Sequence, residues 1–197
     1  EIKGDVTFDH VTFGYEEGIN ILENLSFDVK AGQSIALVGP TGAGKTTIVN
    51  LISRFYNLNG GRLLIDGIDI SDVTLKSLRS QMGIMLQDSV IFSGSIRDNI
   101  RYGRLDATNE EIEAACKVVG ADEFINEMPD GYDTFVKERG SSLSQGQRQM
   151  IAFARTILAD PKILVLDEAT SSIDTRTEAI VQRGMDLSLI HISEPTR

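Results

Sequence analysis

Apolar residues near the start of the chain recur at short intervals. Val6, Phe8, Val11 and Phe13 alternate with polar neighbours, the period of half-buried strands, and Leu25 to Val29 (LSFDV) continues it. Ala31-Gly32-Gln33 makes a turn. Ser34 to Val38 (SIALV) is a short, nearly unbroken apolar run, which predicts a buried strand. From Thr46 to Phe55 the period changes: Ile48, Leu51, Ile52 and Phe55 fall at helical spacing. Asn57 to Gly61 (NLNGG) reads as a turn and RLLID as another strand. From about Ser71 to Asp130 the helical period dominates. SDVTLKSLRSQ, SIRDNIRYG, TNEEIEAACKVVG and ADEFINEM predict successive short helices, read together as an inserted helical lobe. Ser144 to Leu158 predicts a stronger helix, with Met150, Ile151, Ala154, Ile157 and Leu158 on one face and Asp160-Pro161 ending it. ILVLD is a second buried strand, and Thr175 to Met185 a further helix.

Composition narrows the function. The chain has 197 residues, 41% hydrophobic, enough for one domain with a real core or one plus a small lobe. A net charge of −10 disfavours nonspecific binding to nucleic acid or anionic lipid. It does not disfavour a nucleotide held locally by backbone N–H groups. The single cysteine, Cys116, lies in the amphipathic EEIEAACKVV and is read as a small core residue. No apolar run is long enough to span a bilayer, and no signal peptide opens the chain, so the default expectation is a cytosolic face.

Chemistry is concentrated in two places. Gly39-Pro40-Thr41-Gly42-Ala43-Gly44-Lys45-Thr46-Thr47 fits G-x-x-x-x-G-K-S/T, and it follows a strand and opens a helix. Glycines let backbone wrap phosphates without Cβ clashes, and the helix start adds positive potential. Lys45 can reach the β- and γ-phosphates, and the Thr46 hydroxyl can ligate Mg²⁺. An ordinary Gly-rich turn would not need the whole pattern in this context. Downstream, Ile163 to Leu166 leads to Asp167 and Glu168. Asp167, at the strand tip, is placed to hold Mg²⁺, and Glu168 to orient or deprotonate the attacking water. A solvated acidic strand end is the plainer reading; the phosphate loop, which gives the metal a place, outweighs it.

The run Leu143-Ser144-Gln145-Gly146-Gln147 precedes that strand. Ser144 is placed as a helix N-cap, and its hydroxyl, the Gly146 backbone and the positive helix end can face an anion. With this run added, the chain resembles the nucleotide-binding domain of ATP-binding cassette (ABC) proteins, from about Val6 to Asp186. The resemblance implies a site completed by a second such domain. ATP and Mg²⁺ would lie between Lys45, Thr46, Gln87, Asp167 and Glu168 of one subunit and Ser144, Gly146 and Gln147 of the other. It also implies that Tyr15, in FGYEEG, stacks on adenine. Gln87 would contact Mg²⁺ and the water, and Asp174, in SSID, would lie in the loop that crosses the dimer interface. TFVKERG is similar to the exporter motif T-x-V-G-E-x-G that meets the membrane domain's coupling helices, with Lys137 in place of glycine and Glu138 as the transmission residue. FSGSIRDNIRYG is similar to exporters whose membrane and ATPase parts share one polypeptide.

The expectation is therefore an α/β fold: a P-loop NTPase core, an antiparallel β portion at the N-terminus, and an inserted helical lobe at about 88–158 within a domain at 1–186. Its function would be ATP hydrolysis driving export, with a transmembrane domain of the same polypeptide as partner, at the cytoplasmic face of a membrane. Gln145 replaces the first glycine of the usual LSGGQ, so both a homodimer and a pairing with a related subunit stand open. The end, LSLIHISEPTR, is similar to a translated sequencing adapter. Residues 187–197 are thus expected to be a non-native tail, with His191 not the family's catalytic histidine and the chain itself poor in hydrolysis. A soluble ABC ATPase of the repair or translation type would call for a coiled-coil insertion or basic patches, and neither is visible. A regulatory, non-hydrolysing subunit would be at odds with Glu168. His10 is read as structural or exposed.

Overall fold

The computed structural model describes residues 2–85, 90–137 and 140–166, and the backbone of 188–193. The chain divides into two compact units: residues 1–83, 161–168 and 186–197 form the first, and 84–160 with 169–185 the second.

The first unit holds an antiparallel sheet built from β1 (Val6–Phe13), β2 (Leu22–Val29), β4 (Gly60–Ile65) and β5 (Ile68–Asp69), in the order β2-β1-β4-β5. Val6 pairs with Val29 on one side and Ile65 on the other. The apolar period in β1 slips by one between Phe8 and Val11, which would turn half of a regular strand inside out. A bulge absorbs the slip. The register shifts between Phe8 and Val11, and His10 takes φ 54°, a left-handed value uncommon outside glycine. Val6, Phe8, Val11 and Phe13 all end up buried, and the Phe8 and Phe27 rings stack at 4.5 Å. His10 is left exposed, with its Nδ1 2.6 Å from Asp9 Oδ1.

A second sheet has the order β3-β10-β9-β6, from β3 (Ser34–Val38), β6 (Met82–Met85), β9 (Ile163–Leu166) and β10 (Ser188–Ser193). β10 runs parallel to both neighbours, pairing Ile190 with Ile35 and with Val165. Part of the segment expected to be a foreign tail thus occupies the strand position between β3 and β9. β9 is buried throughout, as its apolar run predicts. β3 is not: it alternates exposed and half-buried positions, and Val38 is 61% exposed. Among the described residues β3 pairs only with β10, so it lacks the second neighbour that β10 itself has.

Helix α1 (Lys45–Ile52) stops short of the predicted Phe55. Arg54 turns left-handed at φ 52° and sends its guanidinium to the Ile70 and Val73 carbonyls, at 2.8 and 2.7 Å. Arg79 donates to the Ser53 and Arg54 carbonyls at the helix end. It comes from α2 (Leu75–Arg79), the helix realised from SDVTLKSLRSQ after a 3-10 turn at Ile70–Asp72.

The second unit is mainly helical: α3 (Ile96–Arg101), α4 (Asn109–Val119), α5 (Asp122–Asn126) and α6 (Gln145–Leu158). A two-residue pairing of β7 (Gly94–Ser95) with β8 (Phe135–Val136) joins distant parts of it. Thr108 and Glu111 cap α4 reciprocally. Ile96, Ile100, Ile112, Ile125, Ile151 and Phe153 form the core. Cys116 is buried among them, and burial pushes its thiol pKa up to about 12, away from nucleophilic chemistry. Among the described residues, two polar ones are buried in this unit, Asn99 and Gln149. Asn99, 1% exposed, accepts from the Phe92 N–H and donates to the Phe92 and Ser95 carbonyls. Arg155 donates to the Asn99 backbone carbonyl at 2.7 Å, to its side-chain oxygen at 3.2 Å and to the Val90 carbonyl at 2.9 Å. The predicted helix at Thr175 to Met185 lies outside the described residues.

Candidate nucleotide site

The phosphate loop runs from the end of β3 into α1. Gly42 and Gly44 hold φ values of 86° and 87°. A side chain at Gly44 would also meet Leu22 Cδ2 at 2.9 Å and Ile21 Cγ2 at 3.2 Å, so the residue is fixed by conformation and by space. The left-handed turn at Gly44, the N-cap, directs the chain into α1, whose first turn carries no acidic residue. The positive end of the helix and its unpaired first N–H groups are therefore open to an anion. Lys45 Nζ folds over the loop and donates to the Gly39 and Pro40 carbonyls. Ala43 N–H donates to the Pro40 carbonyl at 3.0 Å, tightening the turn. Thr46 is exposed, with its hydroxyl available to a cation, while Thr47 is buried.

Tyr15 stands beside this helix rather than apart from it. The residue is 46% exposed, and its ring lies nearly perpendicular to Phe13 (86°, 5.0 Å) and Tyr56 (83°, 4.9 Å). Its phenol oxygen is 3.3 Å from Thr47 Oγ1 and accepts from Asn50 Nδ2 at 3.2 Å. Sequence reasoning missed Asn50 and Tyr56. The available signal was spacing, since Thr47 and Asn50 lie three residues apart on one helix face.

In the second unit Ser144 caps α6. Its hydroxyl accepts from the Gln147 N–H at 3.2 Å, and the Gln147 side chain accepts from the Ser144 N–H at 2.9 Å. The helix start thus spends one Ser144 lone pair and leaves the hydroxyl hydrogen to donate elsewhere. Ser144 and Gln145 are exposed and Gly146 half-buried. The first turn of α6 carries no acidic residue. Arg148 donates to the Leu143 carbonyl at 2.7 Å, holding the turn before the helix, and Leu143 is buried. Arg148 is a third residue that sequence reasoning did not single out.

Gln87, Asp167, Glu168, Asp174 and Glu138 lie outside the described residues; β9 ends at Leu166, one residue before Asp167. Among the described residues no cluster of three or more His, Cys, Asp or Glu side chains could hold a metal ion. Of the residues expected to hold Mg²⁺, Thr46 is the one that falls among the described residues, and it is exposed. Among the described residues no helix is long and apolar enough to cross a membrane.

The chain is similar to known proteins. The ABC transporter family model matches residues 22–171. The ABC transporter ATP-binding protein YfiC of Bacillus subtilis, itself uncharacterized, is 57% identical over 182 residues, covering 92% of this chain and 30% of that protein. A fatty acid ABC transporter ATP-binding/permease protein of Mycobacterium bovis is 50% identical over 93% of this chain and 29% of its own length. The beta-(1-->2)glucan export ATP-binding/permease protein NdvA of Brucella suis is 50% identical over 94% of this chain and 31% of its own length. A bacterial Atm1-family ABC exporter with ATP bound superposes with a TM-score of 0.89 at 48% identity, covering 98% of this chain and 34% of that one. The chain spans about 30% of the length of the curated relatives it matches. The two-unit α/β architecture, the phosphate loop on α1 and the family match over most of the chain lead to one conclusion: the chain belongs to the ABC transporter family and has its P-loop ATPase fold.

Proposed function

We propose that this chain is the ATP-binding and ATP-hydrolysing motor of an ABC exporter, acting as one of a pair of such domains. The observation that carries the reading is the pairing of two anion-directed helix starts in one chain: α1 behind the glycine loop and α6 behind the Ser144 cap. One cradle is enough to bind a triphosphate, so the second is assigned to the ATP of another subunit. Tyr15 then carries the adenine, and Gly39, Pro40, Thr41, Gly42, Ala43, Gly44, Lys45, Thr46 and Thr47 wrap the phosphates. Ser144, Gly146 and Gln147, with Asp174, close the site from the partner.

In hydrolysis, Glu168 takes a proton from a water aligned by Gln87. The water oxygen bonds to the γ-phosphorus as the bond from that phosphorus to the bridging oxygen breaks, and ADP leaves with the electron pair. Lys45 offsets charge on the β,γ oxygens. Thr46, Gln87 and Asp167 would hold Mg²⁺, which supplies further neutralisation of the phosphate charge when bound. Two relatives named as ATP-binding/permease proteins, one of them a glucan exporter, support a transmembrane partner in the same polypeptide and a position at the cytoplasmic face of a membrane.

Glu168→Gln tests the reading. In the full-length transporter proposed above, the variant is expected to bind ATP, remain in the closed dimer and lose hydrolysis, measured by phosphate release and by retention of Mg-ATP. Turnover equal to that of the unmodified protein would refute Glu168 as the essential carboxylate.

A further inference from the structure

We propose that Asn50 is a positioning residue for Tyr15, locking the aromatic platform to the phosphate-binding helix so that base and triphosphate are held by one rigid piece. The inference rests on the ATP-binding reading above and deepens it.

Tyr15 lies between β1 and β2, in an exposed connection whose own pairing is a single bridge between Glu16 and Ile19. A half-exposed ring on such a connection keeps its rotamer freedom unless something outside the connection fixes it. Here α1 fixes it. Asn50 Nδ2 donates to the phenol oxygen at 3.2 Å, which frees the phenol hydrogen to point at Thr47 Oγ1, 3.3 Å away. Thr47 directly follows Thr46 of the phosphate loop, and Asn50 lies on the same helix face one turn later. Phe13 and Tyr56 stand at right angles to the ring and restrict its tilt. The hydroxyl sets the ring's reach along α1, and the two neighbours set its plane. A ring fixed in advance loses less freedom when a flat base stacks on it.

The tether should therefore strengthen binding of a nucleotide and leave binding of its triphosphate portion alone. The 197-residue chain, Asn50→Ala, Tyr15→Phe and the double variant would be titrated calorimetrically with ATP and with inorganic tripolyphosphate. Tyr15→Phe keeps the ring and removes only the hydroxyl. Asn50→Ala is expected to weaken ATP binding by about three- to tenfold, the worth of one ordinary hydrogen bond, and Tyr15→Phe, which also removes the contact with Thr47, by at least as much. The double variant should be no weaker than Tyr15→Phe, because both changes cut the same tether. Tripolyphosphate affinity should be equal in all four proteins. Unchanged ATP affinity in the single variants, or additive losses in the double, would overturn the proposal. A parallel loss for both ligands would also overturn it, since that is the mark of a distorted helix rather than a loosened platform. An unmodified chain that binds neither ligand would overturn the nucleotide-binding reading, and this inference with it.

Discussion

Gly44→Ala separates two reasons for glycine in the phosphate loop, because Gly42 supplies a matched control. The two residues hold nearly the same left-handed φ, 86° and 87°. Alanine in that conformation costs about 1–2 kcal/mol at either position. Their surroundings differ. A Cβ at Gly42 meets no described atom within 4 Å, whereas one at Gly44 falls 2.9 Å from Leu22 Cδ2 and 3.2 Å from Ile21 Cγ2. Leu22 is only 7% exposed, so its methyl has little room to retreat. Crowding of this kind adds about 1–3 kcal/mol. Gly42→Ala should therefore cost about 1–2 kcal/mol and Gly44→Ala about 2–5 kcal/mol. Urea unfolding followed by circular dichroism measures both, and ATP titration shows whether the loop yields instead of the fold. Losses that agree within about 0.5 kcal/mol, with equal ATP affinity, would refute the steric part of the argument.

Two further predictions concern the helical unit. Asn99→Ala removes the side-chain bonds to Phe92, Ser95 and Arg155 from a residue 1% exposed. At about 1 kcal/mol per bond the loss should be about 3–5 kcal/mol, seen as a melting temperature lower by roughly 10 °C; a change under about 1 kcal/mol would remove Asn99 from its structural role. Cys116 should resist iodoacetamide at pH 8 in the native protein and react in urea, and rapid native labelling would contradict its burial. Its thiol keeps its proton to about 12 when folded, against an ordinary value of 9.0. The native state thus binds the proton more tightly, and this contribution to stability is intact below about pH 9 and falls as pH rises toward 12.

The sequence pattern was most informative where structure is local. The helices from Ser95 to Leu158 sit close to where periodicity and capping residues place them, and the β1 bulge is foreshadowed by the slip between Phe8 and Val11. Non-local pairing was not legible. β7 and β8 are two residues each and far apart in the chain, too short for any period to show. Ser34 to Val38 has the composition of an inner strand, but among the described residues it pairs only with β10, and strand order is not written in the run itself. The site divides in the same way. The phosphate loop and the Ser144 cap are contiguous motifs, readable directly. The Tyr15 tether depends on where α1 lies relative to the β1–β2 connection, so Asn50 looked like any polar helix residue. Asn99 looked like one too, until its burial and four groups of partners appeared in the fold.

The central claim is that Lys45 of one subunit and Ser144 of the other hold the same ATP. A mixing experiment on a Glu168→Gln background tests it, with dimer formation in Mg-ATP read by sedimentation. Lys45→Ala removes the cation from its own loop. Ser144→Asp keeps a good N-cap but sets a negative charge against the γ-phosphate. Each variant alone should remain monomeric, because every site it could form is defective. Mixed, they regain one intact site, Lys45 from the Ser144→Asp chain facing Ser144 from the Lys45→Ala chain, and a mixed dimer should appear. A mixture that stays monomeric under conditions where the Glu168→Gln protein dimerises would contradict the shared site.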